Sequence, residues 1–332
     1  MTVHPAAQGS SRRARLLFVH AHPDDETLTT GVTMAAYAAQ GHDVHLLTCT
    51  LGEEGEVIPA ELAHCGSDRD DSLGYTRRGE LRAAMAVLGV QHAVLGEDPA
   101  RGVASRYRDS GMVGTSGAEH PDAFAAADVD EAAAMVAAHI RALRPDVVVT
   151  YDRQGGYSHP DHVQAHRVTM SALSALSALS ALSARSARSA PSARTASAEL
   201  DAMAAPVAYC ILTPESWASQ DRLWLQENVS STSSTSVVLQ QDDPYPPSVV
   251  RDEVVTHVVD EPALVEKQSR ALAQHKTQVV VYDGYYTLSN HVAARLSGRE
   301  GFARLDLATG DLVPAAHGAP WHAGLLIDLE GR

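Results

Sequence analysis

The chain of 332 residues carries 41 acidic side chains against 26 lysines and arginines, a formal net charge of −15 that repels nucleic acid phosphates and anionic bilayers, so neither is an expected partner. Its 45% hydrophobic content is enough for one large globular domain, or for a domain with an appended lobe. Three scattered cysteines, Cys49, Cys65 and Cys210, form no CxxC pair, which argues against a disulfide framework or a zinc knuckle and fits a reducing cytoplasm.

The basic N-terminal stretch leads only into LLFV, an apolar run too brief for a signal peptide or a membrane span. RLLFVHA then reads as a buried strand, DETLTTGVTMAAYAAQG as a helix closed by Gly41, and DVHLLTCTLG as a second strand ending in a glycine turn. TRRGELRAAMAVLG reads as a helix, QHAVLG as a strand, DVDEAAAMVAAHIRALRP as a helix and DVVVTYD as another strand. Apolar strands alternating with amphipathic helices predict an α/β fold with a doubly wound, mostly parallel, Rossmann-like sheet.

Residues 171–198, a period-three run of serine, alanine and leucine, interrupt this pattern. Alanine and leucine let the preceding helix continue for a few turns, but serine at every third position offers no sustained buried face, so an exposed, mobile insertion is expected. A second low-complexity patch, SSTSSTS at 230–236, reads as a surface loop. The chain thus divides into a core at 1–170, the insertion at 171–198, and a remainder at 199–332. That remainder completes the fold and walls a cleft as a smaller C-terminal portion.

Two segments share one layout: FVHAHPDDE and VVVTYDRQGGYSHPDH each leave a strand, pass through His-Pro-Asp and enter a helix. Ligands of open α/β sheets collect beyond the carboxyl ends of the strands, where both segments end. Pro160 suits the first helical position, which makes His159 the N-cap and puts His162 in the first turn. Taking His22, Asp25 and His162 as ligands gives two nitrogens and a carboxylate, a set suited to Zn²⁺ or Fe²⁺ with positions left open for chemistry. Asp24 is left over as a general base, His159 as a general acid or oxyanion donor, and Asp161 as the carboxylate that orients His159. Tyr157, in a glycine loop, can turn its phenol toward a carbonyl oxygen.

Other stretches compete evenly with structural roles. Glu53, Glu54 or Glu56 in LGEEGEV suits hydroxyl binding or a solvated turn, Arg77 or Arg78 suits a ligand or a carboxylate near the start of a helix, and Asp109 in RYRDSGM suits a sugar or a loop cap. HVQAH lacks the glutamate of a zincin helix, so His166 reads as a packing residue, and His20, inside the strand, as packing or ligand support.

HAHPDDE followed by GGYSHPDH resembles the PIG-L/LmbE-like zinc deacetylases of N-acetylglucosamine conjugates. TCTLGEEGEV, RRGEL, RYRDSGM, HKTQVVVY and LSNHVA make it similar to the mycothiol-pathway branch of that family. The resemblance implies removal of an N-acetyl group from N-acetylglucosaminyl-inositol, with one Zn²⁺ per subunit, Fe²⁺ being possible, on His22, Asp25 and His162. It implies that Asp24 is the base, that His159 and Tyr157 serve the tetrahedral intermediate, and that Arg77, Asp109 and Glu56 contact substrate. It implies, too, a small-molecule glycosyl-inositol as the partner. The sibling amidase of thioether conjugates carries a lysine near the place of Thr29, which favours the deacetylase reading. A sugar-binding module with a closed structural metal site is a third reading, against which the unpaired Asp24 argues.

Overall fold

The computed structural model describes residues 3–4, 13–189, 205–229, 235–316 and 318–329. Five parallel strands form its centre: β1 (Arg15–His20), β2 (Asp43–Thr48), β3 (Gln91–Val94), β4 (Val147–Tyr151) and β5 (Val207–Pro214), in the order β3–β2–β1–β4–β5. The sheet continues through β6 (His257–Asp260), β7 (Arg299–Leu305) and β8 (Trp321–Ala323), with β7 antiparallel to both β5 and β6. The expected α/β, mostly parallel sheet is present.

Among the described residues, six helices of eight residues or more flank it: α1 (Asp25–Ala39), α2 (Leu73–Leu88), α3 (Val129–Leu143), α4 (Pro160–Ser189), α5 (Glu215–Asn228) and α6 (Val265–Leu272). Because successive strand residues point to opposite faces, β1 feeds two cores. Leu16 and Phe18 pack with Val32, Met34 and Leu81 from α1 and α2, while Leu17 and Val19 pack with Val136, Ile140 and Val168 from α3 and α4. A strand buried on both faces needs the unbroken apolar run that the sequence supplies. After β1 the chain moves to β2 on one side, and only after β3 does it return to β4 on the other. The ends of β1 and β4 therefore flank a switch point, where the diverging loops leave a crevice.

Helix α3 starts where Asp128 accepts a hydrogen bond from the Glu131 N–H at 2.9 Å. Helix α2 begins three residues earlier than expected and stops at Gly89, whose φ of 82° favours glycine. The period-three run differs more. It carries α4 on to Ser189, and its first two leucines, Leu173 and Leu176, are buried while Leu179 and Leu182 are exposed. The first turns of the run lie over the core, so they do have a buried face; residues 190–198 lie outside the described residues, as do 230–234 of the second patch. No helix among the described residues is long and apolar enough to cross a membrane.

The chain after residue 205 walls a cavity of about 350 Å³ that opens beside Asp25 and His162, contributing Ile211, Tyr286, Leu296 and Glu300. Glu300, buried at its far wall, accepts the N–H groups of Val32 and Thr33 at 2.8 Å each. Burial raises its pKa from 4.5 to about 7, against the pull of those hydrogen bonds. The folded chain then keeps a proton that the unfolded chain has released, so this contribution to stability is full below about pH 4.5 and is lost as pH rises through about 7. The loss amounts to about 3 kcal/mol. Glu300→Gln does not titrate and is expected to gain about that much relative to the unaltered chain between roughly pH 4 and pH 8, read by urea unfolding. A difference that stays constant over this range contradicts the assignment.

Candidate metal centre

The segment after β1 turns at Ala21–Asp24 and enters α1 with Asp25 as its first residue. The segment after β4 is tied by Asp152, which accepts the N–H groups of Gln154 at 2.6 Å and Gly156 at 2.8 Å. Gly155 is required there: its φ is 66°, and a Cβ would lie 2.7 Å from the Val163 nitrogen. The loop delivers His159 as the N-cap of α4, where its Nδ1 accepts the Asp161 N–H at 3.2 Å and its carbonyl accepts the Val163 N–H at 3.1 Å.

The two segments meet. Asp25 Oδ2 lies 3.2 Å from His22 Nδ1 and 3.2 Å from His162 Nε2. Donor atoms about 2.0–2.1 Å from a tetrahedral zinc stand roughly 3.3 Å apart, so this spacing is that of ligands around one ion. His162 is 2% exposed, and neither of its ring nitrogens has a hydrogen-bond partner among the described residues. Buried polar atoms rarely go without a partner, and a cation beside Asp25 would supply one. The donor set therefore fits a divalent metal. The His162 ring is held flat against Tyr151, with centroids 4.2 Å apart.

The other nitrogen of His22 faces acid. Nε2 stands 3.2 Å from Asp161 Oδ2 and 3.4 Å from Asp109 Oδ1, and Asp161 in turn accepts Ser110 N–H at 2.8 Å and Ser110 Oγ–H at 2.6 Å. A carboxylate behind an imidazole puts the proton on Nε2 and leaves the Nδ1 lone pair for a metal. Burial pushes the His22 pKa down, but Asp109, Asp161 and Asp25 outweigh it and hold it well above 6.5. Burial pushes Asp25 up, and the two histidines outweigh it and hold it well below 3.8. Such a negative field favours a cation at this point.

His159 lies close by, its ring 4.7 Å from His22 and 4.9 Å from His162. With Nδ1 accepting the Asp161 N–H, its neutral ring carries the proton on Nε2 and is a donor, although one of its ring nitrogens also lies within 4.8 Å of a ring nitrogen of each of His22 and His162. Burial, then His22 and His162, lower its pKa to about 3. Tyr157 projects from the glycine loop, 53% exposed, with its ring 5.0 Å from His162 and 5.9 Å from His159.

Asp24 points elsewhere than its neighbour. Its φ of 114° is a conformation that side-chain-bearing residues rarely adopt, at a cost of about 1–3 kcal/mol. Its Oδ2 accepts from Arg77 Nη2 at 3.1 Å. Burial raises the Asp24 pKa to about 6, with Arg77 opposing and Asp25 adding to the rise.

Several expectations change with this geometry. The Asp161 carboxylate orients His22, not His159; only its main-chain N–H reaches His159. Arg77 is 3% exposed and donates to Pro23 O, Gly52 O and Asp24, so it faces the Asp24 carboxylate rather than open space. Asp109 sits behind His22, 4% exposed, and caps Gly111 N–H at 2.8 Å. The Glu56 side chain is exposed, and its carbonyl is the group that bonds, to Gln278 at 3.2 Å. His166 bonds the Tyr151 carbonyl at 2.9 Å, a packing role.

The sequence reading missed Tyr151, whose hydroxyl donates to Asp25 Oδ2 at 2.8 Å and accepts the Ala21 N–H at 2.9 Å. It missed Ser110 as well, although RYRDSGM sets it directly after Asp109. His20 supports this layer, with Nδ1 3.3 Å from the Tyr151 hydroxyl and Nε2 3.0 Å from Thr30 Oγ1.

Fold and site together define a class: an α/β protein with a buried cluster of histidines and aspartates able to hold a cation at its switch point, beside a cavity. The family model described as PIG-L, GlcNAc-PI de-N-acetylase, matches residues 17–173. The protein named 1D-myo-inositol 2-acetamido-2-deoxy-alpha-D-glucopyranoside deacetylase in Thermomonospora curvata is 41% identical over 94% of this chain and 97% of its own length. A protein of that name numbered 2 in Catenulispora acidiphila is 42% identical over 95% and 96%, and one from Thermobifida fusca is 44% identical over 88% and 92%. The chain belongs to the PIG-L deacetylase family.

Asp161→Asn removes the charge behind His22 while keeping the size of the side chain. Metal affinity is expected to fall by about 10–100-fold, measured by competition with a chromogenic chelator; unaltered affinity would show that His22 needs no such support.

Proposed function

We propose that the chain is an N-deacetylase that releases acetate from N-acetylglucosaminyl-inositol, the substrate named for its relatives, in mycothiol biosynthesis. One observation carries the reading: Asp24 is buried beside a three-ligand cation site yet belongs to none of its ligands. A structural site has no use for such a carboxylate.

His22, Asp25 and His162 hold one Zn²⁺ per subunit, or Fe²⁺, which the same donors accept. That ion supplies Lewis acidity toward the amide carbonyl and toward water. Asp24 takes the proton of the attacking water, and a pKa near 6 suits a base working close to neutrality. Arg77 keeps the carboxylate in one orientation. Tyr157 donates its hydroxyl to the carbonyl oxygen as charge grows there. His159, with its proton on Nε2, donates a hydrogen bond toward the growing charge, and the proton that Asp24 takes from water is the one that passes to the leaving amine, beside His159. Glu56, exposed in the loop after β2, is assigned to the rim that receives the sugar and inositol hydroxyls, whereas Asp109, buried behind His22, serves that histidine; the cavity beside Asp25 and His162 lies next to the reacting group.

Asp24→Asn is expected to retain its metal and lose at least about 100-fold in acetate release, whereas His162→Ala loses metal together with turnover. Elemental analysis of the purified variants with an acetate assay reads both, and full activity in either one overturns the assignment. Assaying a thioether conjugate of the same glucosaminyl-inositol alongside separates deacetylase from amidase.

A further inference from the structure

The rotated backbone of Asp24 has an identifiable clamp. Its N–H donates to Glu26 Oε2 at 2.9 Å, and the carbonyl ahead of it, that of Pro23, accepts from Arg77. Glu26 is fully buried, and its other oxygen takes a hydrogen bond from Thr27 Oγ1 at 2.6 Å and lies 3.1 Å from His275 Nε2. His275 is fully buried too and comes from the far end of the chain, in the HKTQ stretch that no step of the reaction uses.

The rest of that stretch is fastened to neighbouring parts of the site. Thr277 donates its N–H at 2.9 Å and its Oγ–H at 2.7 Å to Glu80, one turn along α2 from Arg77. Its carbonyl accepts the Ile58 N–H at 2.9 Å, and Gln278 reaches the Glu56 carbonyl at 3.2 Å. One short segment thus holds the start of α1, the helix that carries Arg77, and the loop after β2.

We infer that His275 is a positioning residue for the deacetylation: paired with Glu26, it keeps that carboxylate on the Asp24 N–H and so holds Asp24 in its rotated conformation. The inference rests on the reading of Asp24 as the base. Without His275 the buried Glu26 carboxylate keeps only the Thr27 hydroxyl and the Asp24 N–H, and it turns toward any further donor it can reach, because desolvated charge is strongly disfavoured. Once Glu26 turns, the Asp24 backbone loses the bond that opposes its relaxation toward an ordinary conformation.

His275→Phe keeps the ring and removes the donor; His275→Gln restores an N–H on a flexible chain. With metal content at one per chain, kcat of His275→Phe is expected to fall about 10–100-fold while KM stays within about threefold, and His275→Gln to recover most of the loss. In an Asp24→Asn background His275→Phe should cost nothing further, because the group it positions has gone. Equal losses in both backgrounds indicate a merely structural role and overturn the inference. His275→Asn, too short to reach Glu26, replaces His275→Phe if that variant does not fold. A crystal structure of the variant gives a readout independent of turnover: Asp24 is expected to leave positive φ, and an unchanged φ with the Glu26 bond intact overturns the inference. Absence of acetate release from the unaltered, metal-loaded chain would sink the proposed function, while the φ of Asp24 would still decide the role of His275.

Discussion

Burial of like charge is the constraint on which this molecule is organised. Asp25, Asp109 and Asp161 stand around His22, all nearly closed off from water. Each desolvated carboxylate costs several kcal/mol unless positive charge and hydrogen bonds offset it. Ser110 and Gly111 provide part of the offset, His22 another part, and His162 turns bare nitrogens to the same point. The three acids come from the start of α1, the loop after β3 and the first turn of α4. Only a sheet whose order reverses between β1 and β4 opens a crevice at their meeting place.

Two adjacent aspartates then enter different environments because the backbone turns them in different directions. Asp25 is the first residue of a helix, gripped by His22, His162 and Tyr151, and its pKa is driven down. Asp24 precedes it at a φ of 114°, turned toward Arg77, and burial drives its pKa up. Neighbouring carboxylates whose environments push their pKa values apart suit the two roles proposed for them, Asp25 as a ligand and Asp24 as a base. The positive φ of Asp24 accompanies this separation, and the residue donates its N–H to Glu26 and accepts from Arg77.

Much of this was legible beforehand where chemistry is local. The unbroken apolar strands predicted a sheet covered on both faces, and Pro160 after His159 predicted the start of α4. The i, i+3 spacing placed His22 near Asp25. The losses fall where a side chain's partner lies far along the chain. Asp161 was paired with the nearby His159, yet its carboxylate reaches across to His22, 139 residues away. Arg77 was assigned to substrate, because nothing in RRGEL reveals that its guanidinium is buried against Pro23, Gly52 and Asp24. Tyr151 read as one more strand residue, since alternation says which face it takes and not which atom its hydroxyl meets. The serine–alanine–leucine run was read by period alone, but its early leucines are buried because α4 passes over the core there.

By itself, the order of residues determined the elements, their alternation and the kind of cation site two His-Pro-Asp turns can build, because hydrophobic periodicity, helix capping and donor chemistry act over a few positions. Tertiary structure alone decided which nitrogen of His22 faces Asp25, which carboxylate stands behind the other, which way Asp24 turns, and that His275 reaches Glu26. Those outcomes depend on the distances and desolvation created when segments more than a hundred residues apart are packed together, and such energies exist only once the chain has folded.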